Sequence, residues 1–140
     1  MKASKQQKNR EEQLFVSDAV LLTFRQLFPE LDLSKVTWSW EVPYKIYEAE
    51  FEADDKEYEV EIAVTGQHIL TEIEIESDQL PEAVRKSMRK TYPNQSVDEI
   101  ERVEYSNGLV YYEIELEKGE KTREVFYRED GLFIGESEHF

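Results

Sequence analysis

Residues 47–64, YEAEFEADDKEYEVEIAV, alternate apolar and acidic side chains on both sides of Asp54-Asp55. A period of two is the pattern of an extended strand with one buried face, and no helix can segregate it. The stretch therefore predicts an antiparallel hairpin with Tyr47, Ala49, Phe51, Tyr58, Val60 and Ile62 turned toward a core. Glu48, Glu50, Glu52, Glu57, Glu59 and Glu61 must then share the other face.

The pattern recurs. Slid on itself by 64–65 residues, the chain aligns SDAVLLTFRQLFP (17–29) with PEAVRKSMRKTYP (81–93), matching Ala19/Ala83, Val20/Val84, Arg25/Arg89 and Pro29/Pro93. One residue of slip later, YEAEFEADDKEYEV (47–60) falls on YEIELEKGEKTREV (112–125), and Gly66/Gly131 continues the register. Ordered matches of this kind are the mark of an internal repeat. The expected organisation is a polar lead-in over 1–15, frayed or disordered, a first unit over 16–77 and a second over 78–140.

Within each unit one helix precedes the strands. Val16, Val20, Phe24, Leu27 and Phe28 follow helical spacing, as do Leu80, Val84, Met88 and Tyr92. Phe28-Pro29 and Tyr92-Pro93 end the two helices, because the residue before proline is pushed out of the helical region. Ser77 or Asp78 is the expected cap of the second helix, with Pro81 in its first turn. Alternation at Val36, Trp38, Trp40 and Val42 predicts the first strand, with both tryptophans in the core. Further strands follow at 47–51, 58–64, 73–75, 103–105, 112–116 and 125–127, with a last one near Phe133. Asn107-Gly108, Lys118-Gly119 and Asp130-Gly131 read as two-residue hairpin turns with positive φ at both positions. The fold class is α+β: two tandem units of one helix and three or four antiparallel strands, the helices packed on one face of the sheet.

A helix ending in aromatic-Pro, a strand reading Tyr-Glu-x-Glu and a closing acidic-Gly turn together resemble the PepSY-like family, also described as beta-lactamase-inhibitor-like. The fullest match is LPEAVRKSMRKTYPNQSVDEIERVEYSNGLVYYEIELEKGEKTREVFYREDGLFIG (80–135). The resemblance implies a small α+β protein of tandem helix-plus-sheet units, exported from bacteria, that binds or inhibits other proteins. It brings no catalytic residues to carry over.

Charge narrows the functions further. The formal net charge is −15 and is uneven: residues 1–16 carry +2, residues 17–79 carry 16 acidic against 4 basic side chains, and residues 80–140 carry 14 against 9. Direct nucleic-acid binding is disfavoured, since phosphate contacts need clustered Lys and Arg. No apolar run reaches the ~20 residues of a membrane helix. The start has no signal peptide as written, so the chain reads as periplasmic or secreted if a leader was removed and cytoplasmic if it is complete.

Catalytic chemistry finds no footing. There is no cysteine, and His68 and His139 lack ligand spacing and read as solvated. Asp54-Asp55 and Glu129-Asp130 read as polar turns rather than calcium loops. Ser87-x-x-Lys90 falls mid-helix without the rest of a nucleophile motif. No enzyme activity, metal or cofactor is expected. What remains is the acidic rows Glu48, Glu50, Glu52, Glu59, Glu61, Glu72 and Glu74, read as a surface that binds a protein with a basic patch. In the second unit Lys121, Arg123 and Arg128 are expected to dilute the acidic rows. Two alternatives stand beside this: a nucleic-acid mimic, since carboxylates two residues apart on a strand recur at about 6.6–6.8 Å, near the phosphate spacing, and a cation-responsive envelope protein.

Overall fold

A computed structural model describes residues 15–41 and 43–139. The expected lead-in through residue 14, the expected strand position Val42 and the side chain of His139 lie outside the described residues. Among the described residues two helices and eight antiparallel strands make an α+β fold. They divide into two compact units, Met1–Thr71 and Glu72–Phe140.

In the first unit α1 (Asp18–Leu27) precedes β1 (Thr37–Glu41), β2 (Ile46–Ala53) and β3 (Lys56–Ala63), and β4 (His68–Glu74) begins before the boundary. Ser17 caps α1, its side chain accepting from the Val20 amide. Phe28 ends it at φ −134°, still donating to the Phe24 carbonyl at 2.9 Å, as the following proline demands. Val20 and Phe24 are fully buried against Tyr47, Ala49, Phe51, Val60 and Ile62. Aromatic edges fill the space: Phe24 meets Trp38 at 5.2 Å and Phe51 at 5.5 Å, while Trp40 meets Tyr47 at 4.6 Å. Both tryptophans thus pack against the core, as expected. Leu27, expected in the stripe, is exposed instead, because the helix turns its Val20–Phe24 face to the sheet.

In the second unit α2 (Glu82–Thr91) leads into β5 (Ser96–Tyr105), β6 (Val110–Lys118), β7 (Lys121–Arg128) and β8 (Phe133–His139). Leu80, Val84, Met88 and Tyr92 pack on Ile100, Tyr112, Ile114, Leu116, Val125 and Tyr127. The expected caps Ser77 and Asp78 do not cap α2. They form a separate 3-10 turn, Ser77–Gln79, closed by the Glu76 amide donating to the Gln79 side chain, and Pro81 stands at the start of α2.

Turn chemistry differs from expectation at all three expected glycine turns: at Lys118-Gly119 the two turn residues are Gly119 and Glu120, between the paired Lys118 and Lys121, and only Gly119 has positive φ. Asp54 and Asp55 do adopt positive φ at the two-residue β2–β3 turn. The loops at 64–66, 106–108 and 129–131 instead use three residues, with only the closing glycine at positive φ. Each has the same bonding, the glycine amide donating to the carbonyl three residues back. Two of these glycines are also held by space. A Cβ on Gly66 would lie 2.9 Å from the Ala19 carbonyl oxygen, and one on Gly131 would lie 2.6 Å from that of Ala83.

Candidate functional site

Strand register sorts the side chains of β1–β3 without ambiguity. Trp38, Trp40, Tyr47, Ala49, Phe51, Tyr58, Val60 and Ile62 share the helix side. Alternation puts Ser39, Glu41, Glu48, Glu50, Glu52, Glu57, Glu59 and Glu61 on the far side. There Glu48 stands opposite Glu61, Glu50 opposite Glu59 and Glu52 opposite Glu57. Carboxylate oxygens of Glu48, Glu50 and Glu59 all lie within 4.8 Å of one another. Like charges in direct cross-strand register oppose folding by a few tenths of a kcal/mol to roughly 1 kcal/mol per pair.

The far side is not uniformly wet. Glu52 and Glu57 are exposed and Glu50, Glu59 and Glu61 half-buried, yet Glu48 is 4% exposed and its neighbour Ser39 5%. The outward direction expected for Glu48 is realised; the solvent exposure is not. Glu72 and Glu74 sit on β4 at the start of the second unit, both half-buried.

The second unit departs from its expectation. Arg123 stands opposite the core residue Leu116, lies 3.3 Å from Glu136 and covers the Tyr92 ring at 5.2 Å, so it belongs to the helix side. Lys121 pairs with Lys118 at the strand end, in phase with Arg123. Of the three expected diluting cations, only Arg128 reaches the far side, opposite Tyr111. That side is therefore acidic too, with Glu99, Glu115 and Glu124 in one row across β5, β6 and β7.

A β-bulge adds a residue the alternation did not single out. Register shifts between Val97 and Glu99, and the extra residue, Asp98, brings its carboxylate within 4.8 Å of those of Glu115 and Glu117. Val97 and Ile100, three apart in a strand otherwise of period two, are the sequence signal for it. Burial raises the Glu115 pKa, helped by the charge and hydrogen bond of Asp98 and by the charges of Glu99 and Glu124. Beside the bulge a groove of about 170 Å³ is lined by Glu74, Glu76, Ser77, Asp98 and Glu99 among others. It is small and polar, without the apolar walls of a ligand pocket.

Among the described residues the arrangement gathers carboxylates on one side of the strands. His68 is within hydrogen-bonding distance of Thr71, at 2.9 Å. Ser87 is half-buried on α2.

Comparison with known proteins agrees with the fold. The family described as "Putative beta-lactamase-inhibitor-like, PepSY-like" matches residues 45–135. Among solved structures, a BLIP-like protein from Bacteroides fragilis NCTC 9343 is similar at 25% identity, over 93% of this chain and 91% of that one, with a TM-score of 0.77. A DUF2874 family protein from Bacteroides ovatus ATCC 8483 is similar at 22% identity, over 89% of each chain, with a TM-score of 0.80. A protein from Bacteroides eggerthii DSM 20697 described as "putative periplasmic" is similar at 14% identity, over 89% of this chain and 90% of that one, with a TM-score of 0.81. The last two speak for the fold alone. No curated protein matches the chain. Among the described residues no helix is long and apolar enough to cross a membrane. By its match over residues 45–135, about two thirds of its length, the chain belongs to the PepSY-like, beta-lactamase-inhibitor-like family.

Proposed function

We propose that this chain is a non-enzymatic, inhibitor-like protein-binding module of the cell envelope, and that it docks a basic patch of its partner on the acidic far side of the first unit. The observation that carries the reading is the register of β2 and β3, in which three glutamate pairs stand directly opposite one another. Solubility alone needs no such alignment, and each pair opposes folding. A cationic partner turns that cost into affinity, because it relieves repulsion while forming its own ion pairs.

Glu50, Glu52, Glu59 and Glu61 make the direct contacts, and the buried Glu48 supplies field from beneath them. Glu72 and Glu74 add two carboxylates on β4 of the second unit. The inhibitor-like family and the BLIP-like relative support the class of function. The relative described as periplasmic supports the compartment. The same reading takes the two units as copies of one ancestral unit, supported by the equivalent close approaches of Gly66 to Ala19 and of Gly131 to Ala83.

The test compares two variants of equal charge. E50Q/E52Q/E59Q removes three charges from the far side, whereas E82Q/E120Q/E129Q removes three from exposed positions of the second unit. Wild type and both variants are used to capture partners from the envelope fraction of the source organism, and each captured protein is then purified and titrated. Binding lost with the first variant and kept with the second is the expected result. Equal loss with both reduces the acidic surface to generic charge.

A further inference from the structure

We infer that the outer face of α2 docks the second unit on an anionic lipid surface, through Arg85, Lys86, Arg89 and Lys90. This is independent of the recognition surface proposed above, which lies on the first unit.

The cations are concentrated. In a chain of net charge −15, the six residues Arg85 to Lys90 hold four of its 17 Lys and Arg and no acid. Val84 and Met88 turn to the core, so helical spacing gathers the four on the outside. Arg85 and Arg89 are four apart, as are Lys86 and Lys90, which makes each pair neighbours on the helix surface. Lys86, Arg89 and Lys90 are exposed and Arg85 is half-buried. Glu82 lies 2.8 Å from Arg85 and 3.9 Å from Arg89, so the face sets four positive charges against that one carboxylate.

Folding does not ask for them. Like charges four apart oppose a helix. The macrodipole favours Arg89 and Lys90 in the last turn, but not Arg85 and Lys86 before it. A comparison is built into the chain, because the alignment of 17–29 with 81–93 sets Leu21, Leu22, Arg25 and Gln26 of α1 against these four positions. Burial agrees at each, half-buried at the first and exposed at the other three. A helix seated in the same way on its own sheet is therefore made with one cation where α2 has four.

The unit is also polarised. α2 packs on Ile100, Ile114 and Val125, and Glu99, Glu115 and Glu124 stand on the opposite side of those strands. A helix width and a side-chain layer put these carboxylates on the order of 15 Å behind the cations. That is nearly two screening lengths at physiological salt, so a surface approached by α2 meets mainly the cations, whatever the net charge of the chain.

The chemistry selects lipid among anions. No aromatic residue stands on α2, so it offers no platform for stacked bases. Four cations within about 9 Å of helix are too few and too compact to track a duplex backbone. Long flexible stems on a convex helix do not enclose a single anion; they suit many mobile phosphates lying in a plane.

The test is co-sedimentation of the full chain, at low salt, with phosphatidylcholine vesicles containing about 30% phosphatidylglycerol. Each Lys or Arg at an anionic surface contributes about fivefold to partitioning, so K86Q/R89Q/K90Q is expected to weaken it about 100-fold. K35Q/K45Q/K56Q reaches the same net charge from the first unit and is expected to partition like wild type. K86R/R89K/K90R, which keeps every charge and exchanges the head groups, is expected to do so too, since the surface reads charge and not fork geometry. Circular dichroism should find all three variants folded. Wild type that sediments equally with pure phosphatidylcholine, or with neither vesicle, overturns the inference, as does equal loss in both glutamine variants. Capture by a short DNA duplex but not by the vesicles overturns lipid as the occupant.

Discussion

Gly131→Ala tests how tightly the second unit is assembled, because Gly108→Ala provides a matched control. Both glycines have nearly the same backbone, φ +87° and +90°. The conformational penalty of an L side chain there, on the order of 1–2 kcal/mol, is therefore common to the two variants. They differ in what the added methyl meets. At Gly108 nothing lies within 4 Å, whereas at Gly131 the methyl would stand 2.6 Å from the Ala83 carbonyl oxygen and 2.9 Å from its carbonyl carbon. Ordinary contact begins near 3.4 Å, so the first turn of α2 must retreat by about 0.8 Å from a packed core. Overpacking of that kind costs about 1–3 kcal/mol. With an unfolding entropy of about 2.1 cal/mol/K per residue, a chain of this length loses about 3.4 °C per kcal/mol. Thermal unfolding followed by circular dichroism should then find Gly131→Ala melting about 3–10 °C below Gly108→Ala. Midpoints within about 1 °C of each other would mean that α2 is not seated on the 129–131 loop as described.

The raised Glu115 pKa should add stability as pH falls toward the ordinary glutamate range, since its contribution is present below that range and lost as pH climbs through the raised value. E115Q should melt higher than wild type at neutral pH and respond less to acidification; an unchanged pH profile contradicts the assignment. Asp32 and Asp130 act in the opposite sense. Hydrogen bonds from Ser34 hold the first low and the Leu132 amide and Arg128 hold the second low, so their contribution fades only in stronger acid. Tyr92, buried and donating to Glu136 at 2.9 Å, has its pKa raised to about 12. Its stabilisation is complete below the ordinary tyrosine range near pH 10 and drains away as pH rises toward 12. Absorbance titration of tyrosinate should lose a step near pH 12 in Y92F, with a melting midpoint lower by the equivalent of about 1–3 kcal/mol at neutral pH; a titration curve unaltered by the substitution would refute it.

Where one face of a strand is apolar and the other charged, period two left little freedom, and β2 and β3 were legible with their full register. The helix ends were legible for the same kind of reason, since Phe28 and Tyr92 each precede a proline that forbids another turn. Phase proved harder where core residues thin out. Arg123 is in step with Val125 and Tyr127 and so turns to the helix side, where its guanidinium covers the Tyr92 ring and meets Glu136. Read by charge alone, it looked like part of the outer row. The bulge at Asp98 was hidden because one extra residue reverses the phase of everything before it, and only the Val97–Ile100 spacing betrays it. Burial of Glu48 was not legible at all: alternation fixes which side a carboxylate faces, not what lies over that side.

Whether the far side of the first unit is a recognition surface is decided most directly by the association rate of a purified partner, measured across ionic strength for wild type and the two charge-matched triple variants. Electrostatic steering by a defined patch predicts a rate for wild type that falls steeply between about 20 mM and about 500 mM salt. E50Q/E52Q/E59Q should lower that rate and flatten its salt dependence, while E82Q/E120Q/E129Q leaves both close to wild type. Identical salt dependence in the two variants would contradict the account and return the aligned glutamates to a solvated face without a partner.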